Sequence, residues 1–504
     1  MQRDLTRLTS RVHDLVVIGG GIHGACVAWD AALRNLDVAL IERDDFGAAT
    51  SANSLRIVHG GLRSLVRGNL RRMRESVRER AALLRVAPSL VEPLPVLVPT
   101  DGQRGPGRLA LGAALRLNDL LSPDRNRTVP PDRHIRRGRL VPFEQCRHLC
   151  PAFPASASGG ALWWDARMRH PERLTFAFVR AAVERGAVAA NYCRVDRVVV
   201  EAGAVVGVRT TDLLAGGMLD VPARRVVIAA GPWTPALSGQ SEAAIPQAFA
   251  LNVEIGRRLA EAAVGVRSPA GPEADPIVGG SRYLFLVPQE ASTLLGTWYA
   301  PWNGGDPAAL IRRGAAALLE EFRAACPALE LSEADVVRCQ WGLLPLKAGR
   351  ERGRPDALAD RARVLDHGAG PGPRGMLSLE GVKFTTARGI AENVVNRVVA
   401  SLGRDPVSCR SSEIRIDRPE DTADRPLEEQ VERAIREEMA VRLSDVILRR
   451  TSLGGRLPLS PETVAGVARI AGNCLGWTRE REATEIADVT RRLRPFGSAV
   501  GPAG

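Results

Sequence analysis

The chain has 504 residues, of which 69 are basic and 57 acidic, giving a formal net charge of +12, and 45% are hydrophobic. This balance is typical of a soluble globular protein, excludes a disordered one, and fits roughly two to four domains. Only Lys347 and Lys383 are lysines, so 67 of the 69 basic residues are arginine. Arginine alternates with glutamate and aspartate along the chain, so we interpret the charge as a compositional preference and expect no nucleic-acid partner.

Neither a membrane span nor a secretory signal is evident. No apolar run approaches the ~18–20 residues that cross a bilayer, and residues 1–14 contain no apolar segment typical of a leader. The eight cysteines are widely scattered, which argues against a disulfide framework. Cys146 and Cys150 form the one close pair, and without a second pair they indicate ordinary packing, with a metal or redox site as the alternative. We therefore expect a protein of the reducing cytoplasm that binds no metal.

The first strong pattern lies near the N-terminus. Residues 14–18 (DLVVI) predict a buried parallel strand, and residues 22–34 predict a helix of small residues that packs close to a sheet. A G-x-G-x-x-G sequence joins them, and residues 37–41 predict a second strand, which Glu42 follows. This order of elements is typical of sites that bind an ADP-containing dinucleotide, with a plain tight turn as the alternative.

Each residue of the loop has a physical reason. Gly19 allows a tight turn, Gly21 lets the backbone approach a pyrophosphate, and Gly24 lets the helix approach the strand. The N–H groups and partial positive charge of the helix N-terminus favour phosphate. Glu42 suits the hydroxyls of a ribose, whereas His23, inside the loop, is expected to be structural. The spacing alone does not distinguish FAD from NAD.

The residues after Glu42 distinguish the two cofactors. A loop rich in serine and threonine, residues 43–58, leads to His59-Gly60-Gly61-Leu62-Arg63, where a nicotinamide enzyme would begin its next helix. This stretch resembles the FAD-dependent glycerol-3-phosphate dehydrogenases and oxidases, within the D-amino-acid-oxidase-like flavoproteins. The resemblance returns at Asp165-Ala166-Arg167, at residues 226–234 and at residues 381–393.

The resemblance implies an α/β architecture, α+β overall. A Rossmann-like FAD-binding domain would be interleaved with an antiparallel-sheet substrate domain, and an α-helical domain would follow. The expected boundaries are 11–90, 155–235 and 345–400 for the FAD-binding domain, 91–154 and 236–344 for the substrate-binding domain, and 405–504 for the helical domain. Apart from the resemblance, the spacing of apolar residues predicts helices at 69–85, 173–185 and 427–450.

The resemblance also implies the chemistry. Members of this family oxidise the secondary alcohol of sn-glycerol 3-phosphate to dihydroxyacetone phosphate by hydride transfer to flavin N5. His59 would be the base, because histidine titrates near working pH; the alternative is that it only packs or tethers the flavin. Arg63 and Lys383 would lie beside the substrate. The expected FAD contacts are Gly19, Gly21, Gly24, Glu42, Thr50, Ser51, Ser54, Arg56, Gly60, Gly61, Gly231, Thr385 and Thr386.

Two positions depart from the family's pattern. Leu344 stands where the family has an arginine that clamps phosphate, and leucine offers no such contact. Tyr299 stands where the family has aspartate. Arg361 would match a second phosphate-binding arginine, and Lys347 or Arg350 would compensate from nearby. The alternative function is therefore a related enzyme that acts on another small hydroxy or amino acid, and a remote one is a basic nucleic-acid-binding protein on a flavin fold.

Partners and location are less constrained. The electron acceptor would be quinone or oxygen, and a homodimer is left open. Residues 109–121 predict a short amphipathic helix that either packs against the protein or lies on a membrane surface. Because quinone-using members of the family sit on the bilayer face, the resemblance adds peripheral contact with the inner face of the cell membrane to the cytoplasmic location.

Overall fold

The computed structural model describes residues 1–100, 107–239, 246–268, 277, 282–347, 357–421 and 425–496. In chain order its strands are β1 (Leu15–Ile18), β2 (Val38–Ile41), β3 (Ile57–Val58), β4 (Val91–Pro99), β5 (Arg139–Pro142), β6 (Gly159–Met168), β7 (Val188–Ala190), β8 (Cys193–Glu201), β9 (Ala204–Asp212), β10 (Met218–Pro222), β11 (Val226–Ile228), β12 (Gln247–Ile255), β13 (Ala263–Arg267), β14 (Tyr283–Pro288), β15 (Thr293–Trp302), β16 (Val336–Pro345), β17 (Arg363–Asp366) and β18 (Met376–Glu380). Its helices are α1 (Leu5–Thr9), α2 (Ile22–Leu33), α3 (Leu62–Val66), α4 (Leu70–Val86), α5 (Arg108–Leu120), α6 (Phe143–Leu149), α7 (Pro171–Glu184), α8 (Thr234–Leu237), α9 (Ala308–Ala325), α10 (Ala387–Ser401), α11 (Leu427–Glu438), α12 (Leu443–Asp445), α13 (Pro461–Leu475) and α14 (Arg479–Leu493).

A six-stranded sheet, in the order β17-β18-β11-β1-β2-β7, carries the glycine-rich loop. β1 pairs in parallel with both β2 and β11. Leu15 and Val17 pack on the side of α2, whereas Val16 and Ile18 pack on the other side with residues of β8 and β9. Because both faces of β1 are covered, every residue of the strand is apolar. The predicted strand, helix and second strand at the N-terminus are confirmed.

A nine-stranded sheet, in the order β16-β12-β15-β14-β13-β4-β6-β3 with β5 beside β6, forms the second layer. β12, β14, β15 and β16 pair antiparallel, which confirms the predicted antiparallel sheet. α9 packs against this sheet, with Phe322 and Trp298 in one buried cluster. β3 and β6 belong to this sheet although their residues fall within the ranges expected for the FAD-binding domain. The division of the chain into domains stays a prediction.

The C-terminal residues are helical, but the single helix predicted at 427–450 is wrong. α11 ends at Glu438, Met439 has a left-handed φ of 59°, and α12 and a π-helical turn over Val446–Arg450 follow. A residue other than glycine at positive φ interrupts an α-helix. Glu438 is buried in an ion pair with Arg173 of α7, which fastens the end of α11 to the six-stranded-sheet side of the molecule.

None of the described helices is long and apolar enough to cross a membrane. Cys146 and Cys150 are buried thiols in the same apolar cluster as α9. Burial raises the pKa of both thiols to about 11, so both are protonated at neutral pH and suited to packing.

Candidate active site

The glycine-rich loop lies between β1 and α2. A Cβ on Gly24 would lie 1.9 Å from the carbonyl oxygen of Gly19, and a Cβ on Gly19, whose φ is 104°, would lie 2.6 Å from the carbonyl oxygen of Ala229. Gly21 precedes α2 with extended backbone, and the nearest described atom to its missing Cβ is the Ser51 hydroxyl oxygen at 3.1 Å. The first turn of α2 therefore offers backbone that a phosphate group can approach closely.

Glu42 lies beside this loop at the end of β2. Its two carboxylate oxygens accept hydrogen bonds from the backbone N–H of Gly20 at 2.6 Å and of Asp44 at 2.8 Å. Burial, and then repulsion from Asp44, raise the pKa of Glu42 to about 7. Ribose hydroxyls that donate to this carboxylate would stabilise its charged form.

The loop after Glu42 folds back onto the start of α2. Ser51 accepts a hydrogen bond from the backbone N–H of Ile22 at 3.0 Å, so its hydroxyl lies at the helix N-terminus. The Thr50 hydroxyl accepts from the backbone N–H of Leu343 in β16 at 3.2 Å. The loop thus joins the dinucleotide end of α2 to the nine-stranded sheet.

Further along this loop, Ser54 and Arg56 form hydrogen bonds with other groups of the protein. Ser54 accepts from the backbone N–H of Arg56 at 3.3 Å. Arg56 is buried, and its guanidinium donates to Gln289 at 3.0 Å and to the carbonyl oxygen of Arg169 at 3.2 Å. Arg56 therefore anchors the loop to the nine-stranded sheet, and its role as a cofactor contact stays a prediction.

His59 is held by a buried carboxylate. Its Nδ1 lies 3.1 Å from Asp165 of β6, and its side chain is 56% exposed. Asp165 also accepts from the Gly60 N–H at 2.7 Å and from Arg80 of α4 at 2.9 Å. Burial alone would raise the pKa of Asp165, but its hydrogen bond with His59 and the neighbouring positive charges lower that pKa. An ionised Asp165 holds the proton of His59 on Nδ1 and leaves Nε2 as an acceptor.

The two glycines after His59 pack against protein. A Cβ on Gly60 would overlap the Arg80 guanidinium at 2.0 Å, and a Cβ on Gly61 would lie 2.8 Å from the Cα of Met73. These close approaches let Arg80 reach Asp165 and let α3 start against α4. Contact of either glycine with FAD stays a prediction.

Three cations lie close enough to influence one another's pKa. They are Arg63 of α3, Arg72 of α4, and Lys383 in the loop before α10. Partial desolvation, and then the charges of Arg72 and Arg63, lower the pKa of Lys383. Desolvation and repulsion from Arg67 and Arg72 likewise lower the pKa of Arg63. Mutual repulsion of this kind favours binding of an anion among the three side chains.

Asp360 balances part of this positive charge. Its carboxylate lies 3.6 Å from Arg72 and 3.5 Å from Lys347. Arg361 is exposed, and its expected role in substrate binding stays a prediction. Arg350 lies outside the described residues.

The two departures from the family's pattern lie in the nine-stranded sheet, on β16 and β15, which flank β12. Leu344, near the end of β16, is half-buried and pairs with Ala248 of β12. It directly follows Leu343, whose backbone bonds Thr50. Tyr299 of β15 lies near enough to Arg63 to influence the charge of that guanidinium. Both departures therefore lie next to the loop or the cation cluster.

Two further loops, which follow β11 and β18, carry the remaining expected FAD contacts; we call the region of the expected FAD and substrate contacts the flavin cleft. Gly231 has φ of 57°, and no described atom lies within 4 Å of its missing Cβ. Thr385 is buried, and Thr386 precedes α10. A Cβ on Gly381 would overlap the His23 ring at 2.2 Å. Burial lowers the pKa of His23 to about 4, and its buried Nε2 has no hydrogen-bond partner among the described residues.

Comparison with known families agrees with this geometry. Residues 14–397 match the FAD-dependent oxidoreductase family, and residues 382–482 match the C-terminal domain of alpha-glycerophosphate oxidase. The chain belongs to the FAD-dependent oxidoreductase family. Its cofactor is accordingly FAD.

Relatives of this flavoprotein share most of its length. The glycerol-3-phosphate dehydrogenase of Synechocystis is 30% identical over 81% of this chain and 73% of its own. Glycerol-3-phosphate dehydrogenase 1 of Mycobacterium tuberculosis is 32% identical over 81% of this chain and 77% of its own. The FAD complex of the Bacillus halodurans glycerol-3-phosphate dehydrogenase superposes with a TM-score of 0.73, covering 99% of this chain and 98% of that one at 20% identity. This last likeness shows a common fold.

The residues present fit FAD. The open backbone at Gly21 and the Glu42 carboxylate suit the ADP half, and the open space beside Gly231 leaves room on the other side of the loop. The buried His23 Nε2 lacks an acceptor or donor among the described residues, which a bound group at this place would supply. Bound FAD brings the hydride-accepting chemistry to the flavoprotein.

Sequence reasoning missed Arg72, Arg80 and Asp165 as site residues. Arg72 falls within the helix predicted at 69–85, and its position near Lys383 depends on the packing of α4. Asp165 carried a detectable signal, because an aspartate inside the apolar strand WWDARM must be paired when it is buried. Arg80 carried no such signal in the sequence, because its partner Asp165 lies on a different element.

Proposed function

We propose that this flavoprotein oxidises the secondary alcohol of sn-glycerol 3-phosphate to dihydroxyacetone phosphate, with the hydride passing to flavin N5. The observation that carries the proposal is the cluster of Arg63, Arg72 and Lys383, in which Arg63 follows His59 by four residues. A phosphate dianion would relieve the repulsion that lowers the pKa of Lys383. The relatives named glycerol-3-phosphate dehydrogenase support the same substrate.

Side chains of this protein carry out the remaining steps of the reaction. His59 Nε2 takes the proton of the reacting hydroxyl, because Asp165 holds the proton on Nδ1. Asp165 also stabilises the imidazolium that forms. Lys383 and Arg63 orient the substrate through its anionic end. Quinone or oxygen accepts the electrons afterwards, and both this choice and a homodimer remain open predictions.

A second candidate substrate follows from Leu344. Without a guanidinium at this position, one bidentate phosphate contact is missing. A carboxylate carries less charge than a phosphate and needs fewer cations, so Arg63 and Lys383 would also suit an α-hydroxy or α-amino acid. The same His59 would then accept the substrate proton.

Anaerobic reduction of the bound flavin distinguishes these substrates. Glycerol 3-phosphate should bleach the flavin absorption near ~450 nm and yield dihydroxyacetone phosphate, whereas unphosphorylated glycerol should not. Lys383→Gln should raise KM for glycerol 3-phosphate at least tenfold, and the control Arg209→Gln, a partly exposed residue paired with Asp220, should leave KM unchanged. Bleaching by a hydroxy or amino acid, with none by glycerol 3-phosphate, would select the second candidate.

We also propose that α5 rests on an anionic membrane surface. Leu111 and Leu115 of this helix are buried, whereas Leu109, Leu117 and Leu120 are 89%, 44% and 74% exposed. One side of α5 therefore packs on the protein, and the other presents leucines outward. Soluble proteins rarely gather exposed leucines on one face unless the face contacts a partner or a lipid surface.

Neighbouring residues extend this face. Val66 of α3 and Leu70 of α4 are 61% and 50% exposed, and α3 packs against α5. The exposed arginines Arg67, Arg71 and Arg116 would meet anionic headgroups.

Co-sedimentation with vesicles of neutral and anionic phospholipids tests the membrane proposal. Leu120→Glu should reduce the bound fraction. Met218→Glu is the matched control, because Met218 is equally exposed at 74% but lies on β10. Equal binding of the two variants would refute contact through α5.

A further inference from the structure

A second concave site lies where Asp421 and residues from Arg425 to Arg456 meet the start of α7. Its volume is about 170 Å³, which holds about five or six water molecules and is too small for a flavin or a nucleotide. None of its lining residues is one that we place in the flavin cleft. Six arginines line it: Arg169, Arg173, Arg425, Arg433, Arg450 and Arg456.

The lining contains half as many carboxylates as arginines: Glu290, Asp421 and Glu438. Both oxygens of Asp421 accept from Arg180, at 2.6 and 2.7 Å, and one also accepts from Arg173 at 3.0 Å. Burial alone would raise the pKa of Asp421, but the hydrogen bonds and charges of these arginines lower it to about 2. Asp421 is thus already shared between two arginines, and Glu438 accepts from Arg173 as well.

Arg450 carries a buried donor group for which the described residues provide no acceptor. Its side chain is completely buried, with the guanidinium 4.1 Å from the ring centroid of Phe176. Nη2 donates to Asp45 at 2.7 Å. Nη1 is buried and has no hydrogen-bond partner among the described residues. An N–H of a buried guanidinium without an acceptor is costly, and the position of Arg450 in the lining of this pocket points to an anionic acceptor.

We propose that this pocket binds one small phosphate-type anion, either inorganic phosphate or the phosphate group of a small ester. A tetrahedral dianion offers several acceptor oxygens to guanidinium groups that converge from different elements. Arg173 comes from α7, Arg433 from α11, and Arg450 from the turn that follows α12. Binding therefore fastens the C-terminal helices to α7. The proposal does not depend on the substrate of the flavin cleft.

Calorimetric titration of sodium phosphate into the FAD-loaded full-length protein, with ionic strength held constant by chloride, tests this site. Arg433→Gln removes a lining arginine of α11. Arg436→Gln is the matched control on the same helix, because Arg436 is 66% exposed and outside the lining. In both variants Asp421 and Glu438 keep Arg173 as a partner.

We expect the unmodified protein and Arg436→Gln to bind one phosphate per chain that leaves the flavin absorption unchanged, in addition to any phosphate that binds beside Lys383. Arg433→Gln should bind it at least tenfold more weakly. Arg456→Gln, at an exposed lining residue, repeats the comparison if Arg433→Gln folds poorly, and the same weakening is expected.

Two results would overturn the proposal. One is that every phosphate bound perturbs the flavin absorption, which would place it in the cleft. The other is that both lining variants bind phosphate as tightly as the Arg436→Gln control, which would leave the pocket a network of ion pairs and water. Vesicles that contain phosphatidate, used in place of phosphate, separate the sources: binding of vesicles through Arg433 identifies a lipid headgroup, and binding of free phosphate alone identifies a soluble anion.

Discussion

The affinity of the apoprotein for FAD should fall below pH 7, and Glu42 should be the cause. Its carboxylate already accepts from the backbone N–H groups of Gly20 and Asp44, yet burial and the Asp44 charge raise its pKa to about 7. Ribose hydroxyls that donate to Glu42 favour the ionised form, so its pKa is lower in the complex. Below pH 7 the free protein therefore holds a proton that must leave on binding, and affinity rises with pH until about 7.

The size of the effect follows from the two pKa values. If FAD restored the ordinary value of 4.5 from about 7, the dissociation constant would be about tenfold larger at pH 6 than at pH 8, and about 25-fold larger at pH 5.5. The whole shift corresponds to about 3 kcal/mol, which two hydrogen bonds to a charged group can supply. Without FAD, the raised pKa has the opposite consequence, since the stability that Glu42 contributes below pH 4.5 is lost as pH rises through 7.

Titration of apoprotein with FAD, followed by quenching of flavin fluorescence from pH 5.5 to 8, measures this dependence. The control is Glu42→Gln, which should bind FAD more weakly at pH 8 and show a much flatter profile. A wild-type affinity that is equal at pH 6 and pH 8 would refute the reasoning. So would an equal slope in Glu42→Gln, because another group would then carry the proton.

Three further predictions concern the cleft. Asp165→Asn should slow anaerobic flavin reduction by about 10–100-fold with FAD still bound, because His59 loses the carboxylate that sets its tautomer; Asp165→Glu should restore part of the rate, and an unchanged rate would remove the positioning role. Leu344→Arg should lower KM for glycerol 3-phosphate several-fold through a new guanidinium contact, and no change would place the phosphate elsewhere. Gly24→Ala should abolish FAD retention during gel filtration, because its Cβ would lie 1.9 Å from a carbonyl oxygen, whereas Gly466→Ala, with nothing within 4 Å, should retain it.

The parts of the fold that could be predicted are those that local patterns determine. β1, the glycine-rich loop, α2 and β2 follow one another within thirty residues. The order of apolar and small residues in this stretch predicts that these elements are buried. The break at Met439 could not be predicted in this way, because helix-forming residues continue across it. α11 ends where Glu438 pairs with Arg173 of α7, a partner that lies far away in the sequence.

The same limit applies to the site. His59 and Lys383 were found through a motif, and their roles stay predictions. The surroundings that decide those roles come from distant parts of the chain: Asp165 lies 106 residues after His59, and Arg72 lies far from Lys383 in sequence. Pairs of residues so far apart in the sequence produce no periodic pattern. The strongest sequence signal of such a pair is therefore a lone charged residue inside an apolar strand, because it needs a partner when it is buried.

The structure shows which of the many arginines of the chain indicate a ligand and which do not. Most buried arginines meet a matching carboxylate, as Arg388 meets Glu79 and Arg338 meets Glu254, and such pairs say little about ligands. Information lies where cations gather with too few carboxylates, because an uncompensated cluster is unfavourable until an anion joins it. The cluster of Lys383, Arg63 and Arg72 is one such place, and the buried Nη1 of Arg450, which has no acceptor among the described residues, is a second. A phosphate-carrying substrate in the first place and a small anion in the second would satisfy both clusters by the same chemistry.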